Sequence, residues 1–268
     1  LFDALGAPRP VFAHLPMVLG ADRKKLSKRE GAAGVAELRA QGYPPDAVVN
    51  YLSLLGWSPG DDREVLSRDE LESELSLDRV GASDAIFDLE KLRWISAQHL
   101  ARLPLDALVT AVEPFLDRTR FPLEGEALRR NVEAIRTRLH TFGEVNEHLE
   151  LLYPGDPALA AGVAEVRAEG PEAIRIVNGI REALAHLPAW EAGPLGQAVR
   201  EAGKGLGARG PALFHPVRLA LCGTRSGPDL GLVLAALGRE QTLERLGSVG
   251  LPEAGDPGGR PPPMAPPV

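Results

Sequence analysis

The chain has 268 residues, 44% of them hydrophobic, enough to build one large domain or roughly two or three small ones with real cores. Its 30 basic and 37 acidic residues leave a formal net charge of −7. That argues against indiscriminate coating of nucleic acid, which rests on phosphate neutralisation, but leaves local basic patches free to meet a partner. The one cysteine, Cys222, excludes an intrachain disulfide or a cysteine-cluster zinc site and reads as a small buried apolar residue in a reducing compartment.

Residues 10–19 read as short extended segments broken by Pro16, leading into the run Lys24-Lys25-Leu26-Ser27-Lys28-Arg29 on a loop between Gly20 and Gly31. Helical spacing begins after Gly34 with Val35 and Leu38, stops at Gly42, and resumes with Pro45 near a first turn and Val48, Val49, Leu52 and Leu55 on one face. Gly56 to Asp62 is a turn-rich loop, where Asp61, Asp62 and Glu64 read as a solvated turn and no metal site is assigned. Ser67 followed by Glu70 is a capping box that opens the next helix. Another starts near Asp88 with Leu89, Leu92 and Ile95 at three-residue spacing, and Trp57 and Trp94 are expected to be core anchors.

From about Ser96 the pattern is helical almost throughout, with helices expected at 96–102, 105–116, 124–138, 141–151, 156–168, 171–186 and 193–202. A glycine-rich hinge at 203–207 follows, then the segment Leu213–Leu221, with Phe214 and His215 read as packing residues. Ser226 is the expected cap of a last helix, with Pro228 in its first turn and Leu230, Leu234 and Leu237 ending at Gly238. Residues 251–268, rich in proline and glycine, read as disordered. No stretch approaches the ~18–20 apolar residues of a membrane helix, and no fixed-period repeat is present. Leu1 is not a start methionine, so the expectation is a piece of a longer product with its missing part upstream.

Two groups of cations suggest chemistry. Four cations in six residues beside glycine suit a polyphosphate ligand, although the hexapeptide alone also fits a solvated charge run. The segment 127–138 carries Arg129, Arg136 and Arg138 around an apolar stripe of Leu128, Val132, Ile135 and Leu139, with Arg118 just before it; Arg129 and Arg136, seven apart, are expected to share a face. Such arginines can pair with phosphate or stack on unpaired bases, or form an ordinary exposed helix face. Arg225 in Gly223-Thr224-Arg225-Ser226-Gly227 is a phosphate candidate at a helix start, with a structural turn the favoured alternative.

Four blocks, in order, resemble the C-terminal portion of bacterial glutamyl-tRNA synthetases, from near residue 1 to about 247. They are Phe12–Pro16 with Lys25-Leu26-Ser27-Lys28-Arg29, Asn50–Trp57, Phe87–Trp94, and Pro216–Leu221 with Gly223–Pro228. The resemblance implies a mainly α chain: a remnant of a class I Rossmann-type catalytic domain (1–34), a small helical stem-contact domain (35–100), two all-helical anticodon-binding subdomains (101–190 and 191–250) and the tail (251–268). It implies ATP-dependent activation of glutamate and transfer to tRNA(Glu), by a cytoplasmic monomer without a zinc site in this portion. ATP, with Mg2+ as its counter-ion, would meet Lys25, Leu26, Ser27, Lys28 and Arg29, with Lys28 the catalytic cation. Arg118, Arg129, Arg136, Arg138 and Arg225 would face tRNA. The family's His-Ile-Gly-His element is absent, and the glutamate-binding residues are expected upstream, so this portion alone is expected to be inactive. A non-catalytic tRNA-binding module is the main competing reading; an all-helical protein-interaction scaffold is a third.

Overall fold

A computed structural model describes residues 1–26 and 34–250. The chain is mostly helical and divides into two compact units, one of residues 1–124 with 135–148, the other of residues 125–134 with 149 onward.

In the first unit, β1 (Val18–Leu19) pairs in parallel with β2 (Ala85–Ile86), in the register Val18 to Ala85 and Leu19 to Ile86. The expected extended stretch 10–19 is thus regular only at its end, and β2 has no counterpart in the sequence reading. Two residues are too short to show an alternating pattern, and the pairing is completed by long-range bonds, from Phe87 N–H to Leu19 O at 2.8 Å and from Met17 N–H to Asp84 Oδ1 at 3.0 Å.

Around this ribbon lie α1 (Val35–Ala40), α2 (Pro45–Leu54), α3 (Arg68–Glu74), α4 (Leu89–Arg102) and α5 (Leu105–Val112). Local chemistry starts three of them where expected. Pro45 occupies a first-turn position of α2, Ser67 and Glu70 close the capping box of α3, and the Asp88 side chain accepts the Lys91 N–H to begin α4. Leu38, Tyr43, Ala47, Val48, Tyr51, Leu92 and Ile95 form one core; Trp57, Leu66 and Leu71 form another.

Polar pins join these cores. Tyr51 Oη accepts the Asp88 N–H at 2.6 Å, and its ring meets Phe87 edge-on. Asn50 Oδ1, fully buried, accepts the Leu66 N–H at 3.0 Å and lies 2.9 Å from His99 Nε2. Gly42, at φ 82°, packs its backbone on Gly143; a Cβ there would meet Phe142 N at 3.1 Å. Trp94 departs from expectation: 46% of it is exposed, because the helix turns Leu92 and Ile95 inward and leaves Trp94 on the outer side.

Three expected helices are shorter and tighter at their ends. The 105–116 segment closes with a 3-10 turn at Glu113–Phe115, and 124–138 divides into α6 (Gly125–Ile135) and a 3-10 turn at Arg136–Arg138. The 141–151 segment divides into a 3-10 turn at Phe142–Glu144 and α7 (Val145–Leu149).

In the second unit, α9 (Pro171–Ala185) packs against α8 (Asp156–Ala168), α10 (Ala192–Gly205), α11 (Pro211–Cys222) and α12 (Leu230–Gly247). Its inward face is Ile176, Val177, Ile180 and Leu184, all buried. The glycine-rich 203–207 segment is helical to Gly205, where the absence of a Cβ on Gly203 lets the Leu213 side chain close over it.

One expectation for the last helix is corrected. Asp229, not Ser226, caps it, accepting the Leu232 N–H at 3.2 Å. As expected, the helical backbone is interrupted at Gly238, which takes φ 78° and ψ 170°, and a second helical stretch runs on from this kink to Gly247. Side chains cover carbonyls near the break: Trp190 Nε1 donates to Leu234 O at 2.9 Å and Asn131 Nδ2 to Ala236 O at 3.3 Å. Arg239, just beyond, stacks on Trp190 at 4.7 Å and donates to the carbonyls of Ala185 and Leu187. Cys222 is buried, which pushes its thiol up to about 11. Among the described residues no helix is long and apolar enough to cross a membrane.

Candidate functional site

The basic run starts on a hairpin. Leu26 N–H donates to Val18 O at 3.1 Å, Leu19 bridges Lys25 in antiparallel register, and Gly20 N–H donates to Lys24 O at 2.8 Å. The turn closes with Arg23 N–H on Gly20 O at 2.9 Å, and Arg23 takes φ 61°, the left-handed region that a side chain disfavours. Asp22 caps the turn: Oδ1 accepts the Lys24 N–H at 3.0 Å, and Oδ2 lies 3.4 Å from the Lys24 ammonium. That backbone bond, opposed by desolvation and joined by the neighbouring ammonium, holds the Asp22 carboxyl below its ordinary range.

Arg23, Lys24 and Lys25 are exposed, Leu26 is half-buried, and Ser27, Lys28 and Arg29 lie outside the described residues. What the hairpin presents is a short cationic edge in water, suited to a multiply charged anion. Among the described residues no group of three or more His, Cys, Asp or Glu side chains converges to hold a metal ion.

The expected arginines separate once their neighbours are known. Arg118 is exposed and flanked by Glu113 at 3.8 Å and Glu124 at 3.7 Å. Arg129 is half-exposed on α6 with Glu126 one turn away at 4.0 Å. Arg129 lies within α6, whereas Arg136 is its C-cap and opens the tighter turn that follows. Arg136 Nη2 donates to Ala101 O at 2.6 Å and Leu103 O at 2.5 Å, covering the end of α4. Arg138 follows in the same turn, near enough to His148 to add to the burial that lowers that imidazole's affinity for a proton. Arg225 reaches back to α8, with Nε 2.8 Å from Glu165 and Nη2 2.5 Å from Glu169.

The structure also brings together residues that the sequence reading passed over. Arg200 and Arg218 line a cavity of about 150 Å3 with Phe214, beside Asp229 and Gly231 at the start of α12. They are 18 positions apart in sequence, on α10 and α11, so no local spacing signals the pair. Asp22 was detectable: an Asp two residues before the amide it caps is a common turn signature.

Residues 107–249 match the family described as "Anticodon binding domain", and residues 1–94 match "tRNA synthetases class I (E and Q), catalytic domain". The chain is 41% identical over 254 residues to the glutamate–tRNA ligase of Desulforudis audaxviator, covering 92% of this chain and 51% of that protein. It is 34% identical over 251 residues to the glutamate–tRNA ligase of Akkermansia muciniphila, covering 94% and 57%. The chain therefore spans about half the length of these curated relatives. A crystal structure of a glutamate tRNA ligase from Elizabethkingia meningosepticum in complex with its amino acid superposes with a TM-score of 0.74 at 25% identity, over 92% of this chain and 53% of that one. The glutamate-tRNA synthetase of Elizabethkingia anophelis, 23% identical with a TM-score of 0.74, shares the fold.

Proposed function

The chain belongs to the glutamate–tRNA ligase family of class I aminoacyl-tRNA synthetases, and from that premise we propose that it is the C-terminal portion of an enzyme that charges tRNA(Glu) with glutamate. The observation that carries the reading is the order of parts. A cationic hairpin lies within the segment that matches the class I catalytic domain, and the helical bundle that follows matches the anticodon-binding domain.

In this reaction glutamate attacks the α-phosphate of ATP and pyrophosphate leaves, so negative charge grows on the departing phosphates. Lysines beside that group lower the barrier because they bind the transition state more strongly than the ground state. Lys25 leaves the hairpin exposed, which supports its placement against the phosphates, and Lys28 is the cation to which this reading gives the leading role. Mg2+ accompanies the nucleotide as its counter-ion. Glutamate is bound by residues outside this chain, and the enzyme acts as a cytoplasmic monomer.

For tRNA, the exposed Arg118 and half-exposed Arg129 and Arg138 remain candidate contacts. Arg225 contributes only if phosphate displaces Glu165 and Glu169 from it. Arg200, Arg218 and Phe214 supply two cations and an aromatic face to an unpaired base.

The test is ATP–pyrophosphate exchange with the complete gene product that carries this chain. Lys28→Ala is expected to slow glutamate-dependent exchange by on the order of 10²-fold or more, the scale of losing one transition-state donor. Exchange at the normal speed in that variant overturns the catalytic reading. A complete product that binds tRNA in a salt-dependent way without supporting exchange is a binding module instead.

A further inference from the structure

The hairpin is organised by a carboxylate, which is an awkward group to place beside an anion-binding edge. An ionised Asp three residues from a phosphate-facing lysine repels the same ligand that the lysine attracts. Its hydrogen bonds show what it does instead. Asp22 Oδ1 fixes the N–H of Lys24 at 3.0 Å while Gly20 N–H fixes the C=O of the same residue at 2.8 Å, so both backbone groups of Lys24 are committed.

The next residue, Lys25, is bridged to Leu19, and Leu26 N–H is tied to Val18 O. Lys24 turns its ammonium toward Asp22, at 3.4 Å, and Lys25, held by its bridge to Leu19, is exposed to solvent. Between the two fixed points Arg23 holds a left-handed backbone that persists only where its surroundings over-determine it. The Asp22 cap and the Gly20 closure are the surroundings that do so.

We infer that Asp22 is a positioning residue for the activation step: by gripping Lys24 it fixes the direction in which Lys25 approaches the nucleotide phosphates. The inference rests on the reading that this edge contacts ATP. Lys24, neutralised by Asp22, is the brace, and Lys25 makes the contact. Asn at position 22 keeps the accepting oxygen and removes the repulsion, whereas Ala removes both.

In the complete gene product, Asp22→Ala is expected to lower kcat for ATP–pyrophosphate exchange by about tenfold, a modest part of what misplacement can cost, with KM for glutamate and Tm unchanged. Asp22→Asn is expected to keep kcat within about threefold of the parent, with KM for ATP equal or lower. Lys25→Ala is measured in parallel. If Lys25→Ala is slow and Asp22→Ala is normal, the inference is overturned while the phosphate reading stands. If Lys25→Ala is also normal, the contact through Lys25 is absent and the inference falls with it. If Asp22→Asn is as slow as Asp22→Ala, the charge rather than the accepted hydrogen bond matters, and positioning is refuted. Arg23→Gly, which relieves the left-handed strain without touching Asp22, is expected to keep kcat within about twofold; a loss as large as that of Asp22→Ala points to Arg23 itself and also refutes the proposal.

Discussion

Replacing Arg136 separates a structural arginine from an RNA-contacting one. Its Nη2 donates to two carbonyls at the end of α4, at 2.6 and 2.5 Å, where helix-terminal C=O groups lack partners and the dipole favours a cation. A hydrogen bond from a charged donor contributes roughly 1.5–3 kcal/mol. Arg136 is half-exposed, so water recovers part of that for the freed carbonyls. Arg136→Ala is therefore expected to destabilise the first unit by about 2–3 kcal/mol, which for a unit of this size lowers Tm by roughly 8–12 °C.

Lysine, a point charge without the planar fork, is expected to recover about half of the loss. Melting followed by circular dichroism gives the first number, and tRNA filter binding across a salt series gives the second. A residue that contacts phosphate lowers the salt slope by about 0.7–0.9 when removed; Arg136 is expected to leave it unchanged. An unaltered Tm together with a smaller slope refutes the structural assignment.

Gly162→Ala places a Cβ against the Leu219 carbonyl oxygen and 2.8 Å from Gly223 Cα, where α8 crosses α11. Overpacking of about 1–3 kcal/mol should exceed the helix-propensity gain of about 1 kcal/mol, whereas Gly205→Ala, with nothing within 4 Å, should not destabilise; urea unfolding of the two variants in the same direction would contradict this. Burial lowers the proton affinity of His99 and His148 below the ordinary 6.5. Glu144, despite burial, is held below 4.5 by the N–H groups of His140 and Thr141 and by Arg93. All three bind protons more readily when unfolded, so their contribution is complete above the unfolded values. The histidines lose theirs as pH falls from about 6.5 and Glu144 from about 4.5, and a urea midpoint that rises between pH 7.5 and 5.5 would contradict the sign. Cys222, buried with its thiol pushed up to about 11, should resist iodoacetamide at pH 8 until the chain unfolds, and rapid labelling of the native protein would show the site to be open.

Much of the helical framework is legible in short windows because its signals are local. Ser67 and Glu70 sit three residues apart and cap the same turn, Pro45 presets the first turn of α2, and the stripe Leu128, Val132, Ile135 and Leu139 repeats at helical spacing and is buried. The misreadings arise where size or proximity stood in for geometry. Trp94 is large but lies between two inward positions, and Ser226 stands close to a helix that Asp229 caps. Asn50 and Tyr51 carry family resemblance in the sequence, but their work is bonding to Leu66 and Asp88, 16 and 37 positions away.

By itself the sequence determined the family resemblance, the helical class and the location of the cationic run, since composition, periodicity and motif order are properties of neighbours along the chain. Only the tertiary structure decided what each arginine does. Arg136 and Arg225 look alike in the sequence, yet one meets carbonyls 35 and 33 positions earlier and the other meets carboxylates 60 and 56 positions earlier. A guanidinium's role is set by which acceptor lies within about 3 Å of it, and that partner is supplied by the packing of distant elements.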